Sequence, residues 1–193
     1  MDRLSPQRVS ERAEFQLDLD DTLDARLAAY TATDPLRWEA LAPDGPVSFE
    51  RAAGMLARAS VGDPAADPDD DAAEFLRASL ADPSLRSEAS CVQIGVLTTA
   101  QGLVDVAFVM AQVNPTRGWS RITYMGVVPE HRGRGYGASA HRHGLAMLRA
   151  QGGTRYHGGT STENTPMLHL FRALGAPALC AMEEWTLRLP APV

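Results

Sequence analysis

The segment Val127-Val128-Pro129-Glu130-His131-Arg132-Gly133-Arg134-Gly135-Tyr136-Gly137-Ala138 holds the residues best suited to chemistry. A strand-like run stops at Pro129, and Gly135-x-Gly137 then opens a helix-like one. The first turn of a helix presents unpaired N–H groups and the positive end of the helix dipole. Glycines leave out the side chains that would hold a ligand away from the backbone. The pattern therefore makes a cradle for a phosphate or pyrophosphate, with Arg132 and Arg134 as counter-charge. Glycines at a helix start also serve plain turns, so the pattern needs context. Two alternatives fail on the residues themselves. A P-loop needs a lysine after its last glycine, and the chain contains no lysine. A dinucleotide fingerprint sits in the first βαβ unit, with an acidic residue about 20 positions on. Here that distance lands at Gly158-Gly159-Thr160, and three strand-like runs come before the loop.

Arg132-x-x-Gly135-x-Gly137, reached through Val127-x-Pro129, resembles the coenzyme A signature of the GNAT acetyltransferases, Gln/Arg-x-x-Gly-x-Gly/Ala after a strand ending Val-x-Pro. A second stretch, Asn164-x-x-Met167-x-x-Leu170-Phe171-Arg172-x-Leu174-Gly175, resembles that family's Asn-x-x-Ala-x-x-Leu-Tyr-x-x-x-Gly-Phe helix. The resemblance covers residues 90 to 176 well and the first 90 only by element order. It implies acetyl-CoA as co-substrate, its pyrophosphate on the amides of Gly133, Arg134, Gly135, Tyr136, Gly137 and Ala138. It also implies a pantetheine arm laid along Met125, Val127 and Val128, with Asn164 hydrogen-bonding it and a backbone N–H near Met125 to Val127 polarising the thioester. The strands at 119–128 and 154–161 would have to splay apart to admit that arm.

Amide formation from a thioester needs a neutral amine, whereas an alkyl ammonium has a pKa of about 10. A base therefore takes a proton, and the departing thiolate takes one up. Many relatives protonate the thiolate with a tyrosine, and the matching position here is Phe171. Some use a glutamate on the strand before the asparagine, and the matching position is Gly159. Strand alternation puts His157 on the same face as Gly159 and Ser161, so His157 is the first candidate for the proton work, with Glu163 and Tyr124 after it. His141 falls on the apolar stripe of its helix and reads as packed, while His131 and His169 read as exposed. Gly158-Gly159 within a strand marks either a close approach or a bulge. No histidine or cysteine pair has metal spacing backed by carboxylates, so no metal is expected.

These residues need strands and helices to hold them. Glu14 to Leu19 alternates as a half-buried strand. Asp20 or Asp21 then caps a helix bearing Leu23, Leu27 and Tyr30, and Asp34-Pro35 reads as the start of a second helix with Leu36, Trp38 and Leu41. A third helix starts at Ser48 and a fourth covers Ala72 to Ala81, with a flexible acidic loop, Val61 to Asp71, between them. Cys91–Thr99, Leu103–Val113 and Trp119–Val128 read as a three-strand meander, followed by a helix from Gly137 to Ala150. Thr154–Ser161 (strand), Thr165–Leu174 (helix) and Leu179–Leu189 (strand) complete the chain. The expected fold is a mixed α/β one: a central, mostly antiparallel sheet flanked by helices, with an extended helical N-terminal part. One domain spans 1–193, with residues 1–90 on the acceptor side and 91–189 as the coenzyme-binding core.

With 18 basic residues against 24 acidic ones, the charge of −6 argues against a nucleic-acid partner. No apolar run would span a membrane and the N-terminal residues lack a signal-peptide core, so the expected location is cytoplasmic. Cys91 and Cys180 read as two buried, reduced thiols. Asp18, Asp20, Asp21 and Asp24 offer either an attraction for a cationic amine or a solvated face. The leading function is acetyl transfer to the amine of a small molecule. Transfer to a hydroxyl or a protein N-terminus, and a non-catalytic acyl-CoA-binding module, stay open beside it. A homodimer that completes the sheet at its C-terminal end is also open.

Overall fold

The computed structural model describes residues 7–31, 34–63 and 71–186. A seven-stranded sheet has the order β2-β3-β4-β5-β6-β1-β7. Its strands are β1 (Gln7–Asp18), β2 (Leu36–Ala40), β3 (Val92–Thr99), β4 (Gly102–Asn114), β5 (Trp119–Val127), β6 (Arg155–Ser161) and β7 (Ala178–Thr186). All neighbours pair antiparallel except β5 and β6, which are parallel. The helices are α1 (Asp21–Thr31), α2 (Phe49–Ser60), α3 (Ala72–Leu80), α4 (Tyr136–Ala150) and α5 (Thr165–Ala173).

Two apolar cores lie against the two faces of the sheet, as each face must be covered. On one, Leu23 and Leu27 of α1, Leu145 and Leu148 of α4 and Phe171 of α5 meet Phe15, Val109 and Tyr156. On the other, Met55 and Leu56 of α2 and Leu76 of α3 meet Ile94, Phe108 and Met110. The alternation read in β1 is borne out: Phe15 is buried, while Glu14 and Gln16 are only partly covered. The meander stands as expected, and Asp20 is the residue that caps α1, accepting from the Leu23 amide at 2.9 Å. The expected loop at 61–71 lies largely outside the described residues, as do the final residues of the expected last strand.

Two expectations are corrected. Residues 36–40 form a strand, not a helix, paired with β3 from Leu36↔Leu97 to Ala40↔Gln93. Asp34 does accept from the backbone two residues on, from Leu36 N at 3.0 Å, but its other oxygen takes the Trp38 indole N–H at 3.3 Å. That Asx turn launches extended chain instead of a helix. Cys180 is exposed on β7, which among the described residues has only β1 beside it, whereas Cys91 is buried and its thiol is pushed up to about 12, chiefly by burial.

Candidate functional site: two clefts along one split in the sheet

The parallel contact between β5 and β6 consists of one register pair, Ser120↔Tyr156. Beyond it the two strands diverge, as the resemblance required. On the other side of β6, β1 pairs along the whole strand, from Asp18↔Arg155 to Arg12↔Ser161. β5 is itself irregular where it faces β4: the register jumps between Met110↔Tyr124 and Ala111↔Ile122, leaving Thr123 as an extra residue.

Two clefts lie along this split. The first, the loop cleft, has a volume of about 450 Å³. It is lined by Tyr124 to Val127 of β5, by the glycine loop and by the start of α5. Gly133 and Gly135 have φ of +75° and +84°, a region that costs other residues roughly 1–2 kcal/mol. A Cβ on either would meet nothing within 4 Å, so the space in front of the loop is open. Among the described residues, the amides of Gly133, Arg134, Gly135, Tyr136 and Gly137 have no backbone acceptor. A row of unpaired donors at the N-terminus of a fifteen-residue helix is an anion site in its physics.

The expected binding residues divide here. Met125, Val127, Arg132, Gly133, Gly135, Tyr136, Gly137, Ala138 and Asn164 line the loop cleft. Val128 is fully buried in the α2 core and Arg134 is exposed, so neither side chain lines it. The Arg132 guanidinium is already engaged: Nε donates to Val127 O at 2.9 Å, and Nη2 to Ala59 O at 3.1 Å and Val61 O at 2.6 Å. It ties the end of α2 to the loop. Asn164 caps α5, its Oδ1 accepting from Met167 N at 3.2 Å, which leaves its Nδ2 group free of partners among the described residues.

The second, the strand cleft, has a volume of about 510 Å³ and involves Arg12, Glu14, Phe75, Arg121 and His157 among its walls. It ends on β5 at Thr123, where the loop cleft begins at Tyr124. The candidates for proton transfer are therefore separated. His157 lines the strand cleft, with no hydrogen-bond partner among the described residues. Tyr124 lines the loop cleft, its hydroxyl donating to Asp63 at 3.1 Å. Burial, and the Asp63 carboxylate after it, pushes the phenol up to about 12, so it keeps its proton at neutral pH. Glu163 is exposed just before α5 and lines neither cleft. Phe171 is buried at 1% exposure and stacks on Phe15, centroids 4.2 Å apart, behind β6. His141 is packed there too, as expected, against Tyr156 and Phe171.

What sequence reasoning missed is Glu14. A Cβ built on Gly159 would overlap the Glu14 carboxylate, and one on Gly158 would lie 2.5 Å from the Tyr156 hydroxyl and 2.6 Å from the Phe171 ring. The glycine pair thus marks two close approaches, one on each face. Only the register Glu14↔Gly159 brings that carboxylate to the site, and no local signal contains it. The aspartates near α1 serve elsewhere: Asp24 and Asp21 pair with Arg149 at 2.8 and 3.1 Å, and Asp18 approaches Arg155 at 3.6 Å. Among the described residues, no group of three or more His, Cys, Asp or Glu side chains is placed to hold a metal ion, and no helix is long and apolar enough to cross a membrane.

No curated protein sequence matches the chain. Solved structures share its fold. A GCN5-related N-acetyltransferase from Sphaerobacter thermophilus superposes with a TM-score of 0.63 at 16% identity, over 92% of this chain and 51% of that one. A tandem GNAT protein from the clavulanic acid biosynthesis pathway gives 0.62 at 16%, over 97% and 57%. A GCN5-related glucosamine N-acetyltransferase region in a fungal multi-domain GH3 β-N-acetylglucosaminidase gives 0.61 at 12%, over 95% and 21%. The chain thus spans about half the length of two of these proteins and a fifth of the third. The acetyltransferase (GNAT) family model matches residues 66–176, more than half of the chain and both motifs around the split, and the chain belongs to that family.

Proposed function

We propose that the protein transfers the acetyl group of acetyl-CoA to the amine of a small molecule. The observation that carries this is the split itself. One register pair holds β5 to β6, unpaired loop amides line one end of the gap, and a second cleft with titratable side chains continues from the other. The pyrophosphate binds the amides of Gly133 to Gly137, with the Arg134 charge nearby; the Ala138 amide, expected in that cradle, instead donates to Gly135 O at 3.0 Å. The pantetheine runs along Met125, Val127 and the backbone of Val128, and Asn164 offers its free Nδ2 group. The thioester then lies near the Thr123 bulge, where the two clefts meet, and a β5 amide from Met125 to Val127 polarises its carbonyl.

The acceptor enters through the strand cleft. An ammonium first loses a proton to His157, directly or through water, and His157 passes it to solvent. The amine nitrogen attacks the carbonyl carbon, the C–N bond forms, and the C–S bond breaks. The nitrogen's second proton is lost as the thiolate gains one, giving an amide, CoA thiol and one released proton. Tyr124 stands on the coenzyme side and donates to the thiolate only by releasing Asp63 and then regaining a proton from solvent, so that solvent is the net source of the proton on the CoA thiol; Glu163 lines neither cleft. Phe171 cannot serve, because a phenyl ring has no proton to give, and it is buried in the core. The exposed Cys180 thiol fits a reducing, cytoplasmic setting. The edge of the sheet at β7 exposes Leu179 and Met182, a surface on which a second copy would pair, and hydrodynamic mass tests that.

Calorimetry with acetyl-CoA, run beside CoA release in the presence of a pool of small amines, tests the proposal. Binding with turnover is the expected result. Binding without turnover of any amine, alcohol or peptide N-terminus would instead establish a non-catalytic acyl-CoA-binding module.

A further inference from the structure

The charges in the strand cleft narrow the acceptor, given the transferase reading above. Glu14 projects from β1 over Gly159, in space that any side chain at 159 would take. On the same face, His157 is its diagonal neighbour across the β1–β6 pair, at a spacing of about 7–8 Å that long side chains can bridge. Two guanidinium groups share the cleft with this acid and imidazole, Arg12 from β1 itself and Arg121 from β5. Arg12 is held only loosely by Glu14, its Nε 3.8 Å from the carboxylate. Arg121 lies over the Trp119 ring at 5.7 Å and donates through Nε to Thr123 Oγ1 at 3.3 Å. Among the described residues, Arg121 has no carboxylate within ion-pair distance, and Asp82 feels its charge only as the last of several influences.

The cleft therefore holds two guanidiniums against one carboxylate, beside aromatic walls from Trp119 and Phe75. A plain alkyl ammonium would meet net repulsion there. A molecule carrying an ammonium and an anionic group would be matched at both ends: carboxylate to ammonium, and the guanidinium fork to a carboxylate or phosphate. We propose that the acceptor is such an amine, an amino-carboxylate or amino-phosphate of amino-acid size, with Glu14 binding the ammonium beside His157 and with Arg121 and Arg12 binding the anion. Gly159 is glycine because the Glu14 carboxylate needs its space.

The test uses matched pairs that differ only by the anion: L-phenylalanine and 2-phenylethylamine, 4-aminobutyrate and propylamine, 2-aminoethyl phosphate and ethanolamine. CoA release is followed with acetyl-CoA as donor. In at least one pair the anionic member should have a kcat/KM at least tenfold the higher, and which pair responds tells carboxylate from phosphate. Glu14→Gln should raise the KM for that acceptor at least tenfold, and Arg121→Gln should erase the preference within the pair. Acetyl-CoA affinity, measured by calorimetry, should change less than twofold in both. Gly159→Ala is the second handle. It leaves Glu14 in the sequence but displaces a flexible carboxylate, so acceptor KM should rise while the melting temperature holds. Parity within every pair overturns the inference, as does turnover of the anion-free partners alone. So does acetyl-CoA binding with no turnover of any anionic amine. If acetyl-CoA itself fails to bind, it is the transferase reading that falls, and this inference with it.

Discussion

The loop cleft takes its donors from one continuous stretch, residues 133–137, whereas the strand cleft is lined by residues drawn from β1, α3, β5 and β6. The first does its chemistry with backbone amides and needs only positive-φ glycines and a helix start. The second does its chemistry with side chains, and it exists only because strands more than 140 residues apart in sequence lie in one register, Glu14↔Gly159. A family can keep the first site by keeping a short motif. The second can be rebuilt from any element that reaches the split, and here a β1 carboxylate, Glu14, lies over Gly159 of β6.

The largest expected effect tests whether the helix that begins in the loop is as dry as it looks. α4 carries His141, wedged against Tyr156 and Phe171, and His143, stacked on Trp38 at 4.1 Å with its Nε2 2.9 Å from Gln93 Oε1. Burial lowers both to about 4 from the ordinary 6.5. Between those values the unfolded chain binds protons that the folded one does not. Stability is therefore full above about pH 6.5 and falls as pH drops towards 4, by up to about 3 kcal/mol for each histidine. Urea midpoints at pH 7.5, 6, 5 and 4.5 should decline steadily, and His143→Phe should remove close to half of the slope. A flat profile from pH 7.5 to 5 would mean that water reaches these rings.

Gly135→Val comes next, since it strains the loop by roughly 1–2 kcal/mol and fills the open space before it. The KM for acetyl-CoA should rise tenfold or more, equally for every acceptor, and acceptor KM should stay within twofold. A change confined to acceptor KM would erase the distinction between the clefts.

Phe171→Tyr probes the core behind β6, at a residue that lines neither cleft. By likeness alone this change restores a missing acid. By position it puts a hydroxyl among Phe15, His141 and Tyr156, where an unsatisfied one costs about 1–3 kcal/mol. Thermal unfolding should show the loss, and kcat should not rise.

How far the sequence carried follows the same division. The loop and the meander were legible because each is local: glycines with positive φ, alternating apolar residues, and a Val-x-Pro stop; the split was expected only through the family resemblance. Residues 36–40 were misread because Asp34-Pro35 has the chemistry of a helix start, while Leu36, Trp38 and Ala40 already had the period of a strand. β3 alongside decided the matter. Glu14 was visible as a polar residue on a half-buried strand. Nothing near it in sequence says that it crosses to Gly159.

The smallest expected effect separates two arginines that lie two positions apart in one motif and differ in role. Arg132 gives its guanidinium to three carbonyls, two of them at the end of α2. Arg132→Lys keeps the charge but not the planar fork, so it should lower stability by about 1 kcal/mol and raise the KM for acetyl-CoA a few-fold as the loop loosens. Arg134 is exposed and, among the described residues, holds no acceptor. Arg134→Ala should leave the melting temperature within a degree and weaken acetyl-CoA binding two- to fivefold at low salt, with the difference fading as salt screens the phosphates. Should Arg134→Ala destabilise the fold while Arg132→Lys does not, the roles are exchanged, and the pyrophosphate is then held by the arginine that now ties down the loop.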